Sequence, residues 1–194
     1  MTGDRTTDDE GATEDPLTRR SRERFDELAD RLREEYGEFR TVEKTWRHPP
    51  GFYDDLVERF EAGHAGGAGG WIYDEDGRVL LARDDGAIGW TDPGGKREAD
   101  ETFETNAKRE IREEVDVEVT ITGVLELHEI TVYDGTDQSR PHLVEPIVIF
   151  ETRYDGGDPE PEPGEIEAVE WFESTPDAVG YEEVGERAIP YDPS

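Results

Sequence analysis

The stretch from Pro93 to Val117, PGGKREADETFETNAKREIREEVDV, constrains this chain more than any other part of it. A glycine pair opens a loop, and Thr102 can accept at a helix N-cap with Glu104 following in the first turn, so the spacing predicts a helix beginning where the loop ends. The same spacing sets its faces. Glu110, Glu113 and Glu114 stand at i, i+3 and i+4 and share one side, while Ala107, Ile111 and Val115 at i, i+4 and i+8 line the adjacent sector. One face is therefore expected to pack on a core, beside a row of three carboxylates.

Like charges at that spacing cost roughly 0.2–0.5 kcal/mol per pair on an isolated helix. A hard cation would remove the repulsion, and Mg2+ is typically held by a few protein carboxylates together with water and substrate phosphates. Gly94 and Gly95, which have no side chains, would let a backbone carbonyl approach such an ion. Carboxylate and carbonyl oxygens suit Mg2+ or Mn2+ better than zinc.

Gly95, Glu101, Arg109, Glu110, Ile111, Glu113, Glu114 and Val117 follow the register of the Nudix signature, with Trp90, Pro93 and Gly94 similar to its lead-in. In this stretch the chain resembles the Nudix hydrolases. It departs at Asp116, where the signature has a glycine closing the helix. Asp tolerates the left-handed conformation better than most residues, so the expected cost is about 1 kcal/mol or less. The resemblance implies an α/β/α sandwich with a mixed β-sheet, and Mg2+-dependent hydrolysis within the pyrophosphate of a small-molecule nucleotide. Glu110, Arg109 and Glu113 would be catalytic, and Gly94, Glu110, Glu113, Glu114 and a late-loop acid would be metal ligands. Glu165 is the choice for that acid, with Glu162 and Glu167 as rivals. Either Glu110 or Glu165 would take the proton of the attacking water, and Arg109 would pair with a signature glutamate to orient it, with Glu101 as its expected mate. Tyr133 is a substrate-binding candidate whose strand context favours packing. A non-catalytic nucleotide or ADP-ribose sensor on the same fold is the alternative. The cysteine-dependent isomerases and zinc-ribbon pyrophosphatases of the family are disfavoured, because the chain has no cysteine.

The charge balance narrows the partners. Acidic residues number 52 and the net charge is −31, a surface that disfavours duplex nucleic acid, whose binding needs Lys and Arg on phosphates. With only Lys44, Lys96 and Lys108 as lysines, the composition resembles that of salt-in halophile proteins, and structure or activity is expected to weaken in dilute buffer. No run is apolar enough for a membrane span or signal peptide, and the lack of cysteine fits an intracellular setting; a cytoplasmic location is the expectation.

Along the chain, residues 1–20 read as a disordered acidic tail and 21–65 as a helical extension with a linker. Phe25, Leu28, Leu32 and Tyr36 mark one helix, and Phe52, Leu56 and Phe60 a second. Docking on the catalytic domain is the expected role of these helices, with a homodimer interface or substrate contact as alternatives. The glycines at 63, 66, 67, 69 and 70 lack the Lys and Ser/Thr of a phosphate loop and read as a linker into the first strand. The Nudix-like domain is expected over 66–194. Its strands fall around Trp71–Tyr73, Val79–Ala82, Ile88–Thr91, Val117–Tyr133, His142–Tyr154 and Glu165–Phe172, and a short helix follows after Asp177. Pro146 suggests an edge or bulge.

Overall fold

A computed structural model describes residues 14–193. A seven-stranded mixed sheet is covered on both faces by helices. Its elements are α1 (Pro16–Tyr36), β1 (Arg40–His48), α2 (Pro50–Glu61), β2 (Gly67–Tyr73), β3 (Val79–Asp84), β4 (Gly94–Lys96), α3 (Phe103–Val115), β5 (Val117–Asp134), β6 (Leu143–Gly157), β7 (Ile166–Phe172) and α4 (Glu182–Glu186). The strand order is β1-β5-β6-β2-β3-β7, with β4 also on β2. β1 runs parallel to β5 and β2 parallel to β6, and the other pairings are antiparallel. On one face α1 packs through Phe25, Ala29 and Leu32, and α3 through Phe103, Ala107, Ile111 and Val115. On the other, α2 packs through Tyr53, Leu56 and Phe60, and Val184 of α4 joins Trp71 and Leu81.

Several elements differ from the sequence expectation, each for a physical reason. The first helix starts at Pro16, inside the stretch read as a tail; residues 1–13 of that tail lie outside the described residues. Asp15 caps it by accepting from the Leu17 N–H at 2.8 Å, and Pro16 occupies the first turn, where its missing N–H costs nothing. Hydrophobic period misses this turn because its buried residues are polar: Thr18 donates to the His142 carbonyl at 2.6 Å, and Ser21 accepts from the Val144 N–H at 3.0 Å. The extension is also not purely helical. β1 is an edge strand whose only buried residue is Val42, so it is held by backbone pairing that no apolar pattern announces.

The glycine run is a strand rather than a linker, and all seven residues of β2 are buried. A Cβ at Gly67 would lie 2.5 Å from the Gly95 carbonyl oxygen, and one at Gly70 would lie 2.6 Å from Ile111 Cδ1. Bare backbone here lets the diglycine segment and helix α3 close on the sheet. Ile88–Thr91 forms no strand, only single bridges from Thr91 to Ala82 and Trp90 to Val179. Pro146 sits in a strand with neighbours on both sides, one residue before pairing with β2 begins at Gly67↔Ile147, so its missing donor breaks no bond of that ladder.

Candidate functional site

Helix α3 presents the acids. Thr102 and Thr105 close a reciprocal capping box at its start, and Asp116 ends it in the left-handed conformation at φ 50°, ψ 41°. Ala107, Ile111 and Val115 are fully buried, which fixes the helix's rotation about its axis. That rotation turns Glu110 and Glu114 toward the diglycine strand β4. A Cβ on Gly95 would lie 2.6 Å from Glu110 Oε2, and Glu114 Oε2 accepts from the Gly94 N–H at 2.8 Å.

Arg109 organises the remainder. Its Nε and Nη2 donate to the two carboxylate oxygens of Glu101 at 2.7 and 3.0 Å, a bidentate pair. Its Nη1 donates to Glu110 at 2.9 Å and Glu113 at 3.0 Å, and Nη2 also reaches the Lys96 carbonyl at 3.1 Å. The Glu101 bonds come first among the causes that raise the Arg109 pKa above its ordinary value, and in return Arg109 lowers that of Glu101. Fully buried Asn106 donates to the Lys96 carbonyl at 3.1 Å and to Glu110 at 3.5 Å, tying loop to helix. Sequence reasoning passed over Asn106, although it stands four residues before Glu110 on the acid face.

Glu114 differs from its neighbours because, among the described residues, no Lys, Arg or His side chain pairs with it. Burial pushes its carboxyl up to about 8; the Gly94 N–H opposes that rise, and Glu110, Asp84 and Glu165 add to it. Burial raises Glu110 too, against the pull of Arg109. Glu165 lies just before β7 on a loop whose amides at Glu160 and Glu162 cap the Val115 and Glu114 carbonyls. That loop brings Glu165 within the field of Glu114, and the rival Glu162 within the fields of Glu165 and Glu113. The other rival, Glu167, is turned away to pair with Arg83 at 3.2 Å. Gly94 meets Glu114 through its amide nitrogen. Tyr133 is not among the residues around this site; it packs between His142, with ring centroids 5.1 Å apart, and the Arg47 guanidinium at 5.1 Å.

Among the described residues, no three acid or histidine side chains already stand as a metal-binding group. Arg109 occupies an oxygen of Glu110 and one of Glu113. The donor set nevertheless fits a hard cation: all its members are oxygens, and one half-buried carboxylate carries a charge that burial and like neighbours disfavour.

Gly94, Gly95, Lys96, Asp84 and Glu114 line a cavity of about 560 Å³. Its opposite wall comes from Lys44, Trp46 and His48 of β1 and from Phe52, Leu56 and Arg59 of α2, and its floor includes Asp92, His128, Ile147, Ile149 and Tyr181. In the sequence, substrate contact is only an alternative for the helix in this wall, and the floor carries no signal, because its residues come from stretches far apart in the chain. A model of the NUDIX domain matches residues 63–179, more than half of the chain. The chain belongs to the NUDIX domain family. Among solved structures, this Nudix protein is similar to a Nudix hydrolase from Nitrosomonas europaea, at 26% identity and a TM-score of 0.45, over 56% of this chain and 57% of that one. It is also similar to a MutT Nudix hydrolase from Burkholderia pseudomallei (30% identity, TM-score 0.39, 56% of this chain and 81% of that one). An ADP-ribose pyrophosphatase from Streptococcus suis shows 22% identity and a TM-score of 0.44, over 64% of this chain and 83% of that one. No curated protein matches the sequence. Among the described residues, no helix is long and apolar enough to cross a membrane.

Proposed function

We propose that this Nudix protein is a pyrophosphohydrolase that cleaves the diphosphate of a nucleotide joined to another group, using Mg2+ or Mn2+. The observation that carries the reading is Glu114: a half-buried carboxylate on the cavity wall, beside the diglycine strand, with a backbone amide as partner and three acids around it. Glu110, Glu113 and Glu114, with Glu165 from the neighbouring loop, would hold the cation. Once bound, such an ion supplies charge stabilisation at phosphorus and an acidified water.

The chain's own residues do the rest. Arg109, clamped by Glu101, holds Glu110 and Glu113 in place, so the acid face is set before a ligand arrives. Either Glu110, half-buried with a raised pKa, or Glu165 of the neighbouring loop would take the proton of the attacking water, whichever leaves an oxygen free of the cation. Lys96, which reaches Asp55 at 3.4 Å, is the exposed cation beside the diglycine strand and would meet a phosphate chain there.

Glu114→Gln tests the reading. Hydrolysis of a nucleotide panel with Mg2+, run in molar KCl to screen the net charge of −31, should fall below detection in the variant while its far-UV spectrum is unchanged. Full activity in Glu114→Gln would refute it.

A further inference from the structure

The NUDIX match begins at residue 63, yet one wall of the cavity is built entirely by residues before it. Strand alternation puts Lys44, Trp46 and His48 on one side of β1. Pro49 and Pro50 then turn the chain into α2, whose first turn carries Phe52. The outcome is a run of three rings, with centroids 5.8 Å apart from Trp46 to His48 and 6.0 Å apart from His48 to Phe52. All three line the cavity, and they include two of the three exposed large hydrophobic side chains among the described residues, Trp46 at 36% and Phe52 at 62% exposure. Large rings left open to water are costly unless something covers them. These two open onto the same cavity as Glu114 and the diglycine strand.

The charged lining is largely paired within the fold: Lys44 meets Glu183 at 2.5 Å, Lys96 meets Asp55 at 3.4 Å, and Asp84, Asp92, Glu114 and Glu145 share the cavity. The three rings belong to its uncharged part, and the Lys96 ammonium lies 6.0 Å from the Phe52 ring centre. Such a lining suits a ligand that is aromatic at one end and carries its phosphates to the acid cluster with a cation between them. Stacking on uncharged rings adds affinity that the protein's overall negative field does not oppose.

We infer that Trp46, His48 and Phe52 form the platform for the base of a nucleotide whose phosphates lie toward Gly94 and Glu114. The extension before residue 63 is then the part of the chain that selects a base-bearing diphosphate over a base-free one. This deepens the proposed function and rests on it for the diphosphate, though not for the base.

The test uses the full chain with EDTA present, so that no turnover intervenes. Calorimetry should show AMP or UMP binding at least about 10-fold more tightly than ribose 5-phosphate, since a base stacked on an aromatic ring contributes substantially to affinity. Trp46→Ala and Phe52→Ala should remove most of that difference, and Trp46→Phe should keep most of it. With a hydrolysed substrate, Trp46→Ala should raise KM much more than it lowers kcat. Equal wild-type affinity for base-bearing and base-free ligands, or discrimination unchanged in the alanine variants, would overturn the inference. So would a Phe52→Ala variant that turns a dimer into a monomer while leaving base discrimination intact, because the rings would then serve an interface between copies. The two readings fail separately: full activity in Glu114→Gln removes the hydrolase mechanism, whereas absence of base preference removes only the platform.

Discussion

Glu114 lines the cavity and Glu126 lies behind it, bonded to the His128 of its floor, yet their carboxyl groups are driven in opposite directions. Burial pushes Glu114 up to about 8, with only an amide against it and acids around it. Burial would raise Glu126 as well, but bonds from His128 at 3.0 Å and Arg187 at 2.6 Å outweigh it and hold the group at about 2. Arg187, itself buried, also donates to Asp92 at 2.9 Å, and Asp92 accepts from the Tyr181 hydroxyl. The same side chain in two half-dry places is thus a closed account on one side and an open one on the other. A carboxylate with its cation already present is architecture; one without is, on the proposed reading, open to a cation from outside.

The largest effect is expected from opening the closed side. Arg187→Met leaves Asp92 and Glu126 buried without their shared partner, and loss of one member of a buried ionic group costs about 3–5 kcal/mol. Denaturant titration in high salt should show this as a lower midpoint with an unchanged slope, and a loss below about 1 kcal/mol would mean that the network is not the brace described here. Next in size is the acid limb of stability. The folded value of Glu126, about 2, lies below the unfolded value near 4.3, so its stabilisation is complete above pH of about 5 and disappears as pH falls through 4 toward 2. Glu126→Gln should remove about 2–3 kcal/mol at neutral pH and flatten the stability curve between pH 5 and 2.5. If the variant's curve falls as steeply as the parent's, the dependence arises from other carboxylates.

The two sides also differ in how far the sequence discloses them. The acid helix was legible because its chemistry is local: Glu110, Glu113 and Glu114 lie within two turns, their cap at Thr102 and their glycines at 94 and 95 precede them directly, and even the partner of Arg109, Glu101, is eight residues away. The braced side joins Arg187 to residues 95 and 61 positions earlier, pairings that only the sheet order creates. β1 was hidden for the same reason. A strand with one buried side chain has no period to read, and its identity comes from the backbone of β5, more than 80 residues later. Tyr133 packs against Arg47 and His142, as its strand context favoured; distance along the chain says nothing about which face of β5 a side chain takes. Its register partner is Arg47, on the face opposite Trp46 and His48.

The smallest effect separates the two glutamates most sharply. Glu114→Gln conserves shape and can still accept the Gly94 N–H, but it removes a half-buried acid whose charge burial and its acidic neighbours disfavour. Where Glu126→Gln destabilises, Glu114→Gln should leave stability unchanged or raise it by about 1 kcal/mol at pH 7, because the folded parent has to hold a proton there that the unfolded chain releases. The difference should reverse with Mg2+. An ion that binds only the folded parent raises its Tm with concentration, whereas the variant, lacking a ligand, should respond much less. Thermal melts of both proteins at fixed KCl, with and without Mg2+, read the two signs together. If Glu114→Gln instead destabilised the metal-free protein as Glu126→Gln does, Glu114 would be a structural carboxylate with a partner in the fold, and the distinction between the two sides of the cavity would collapse.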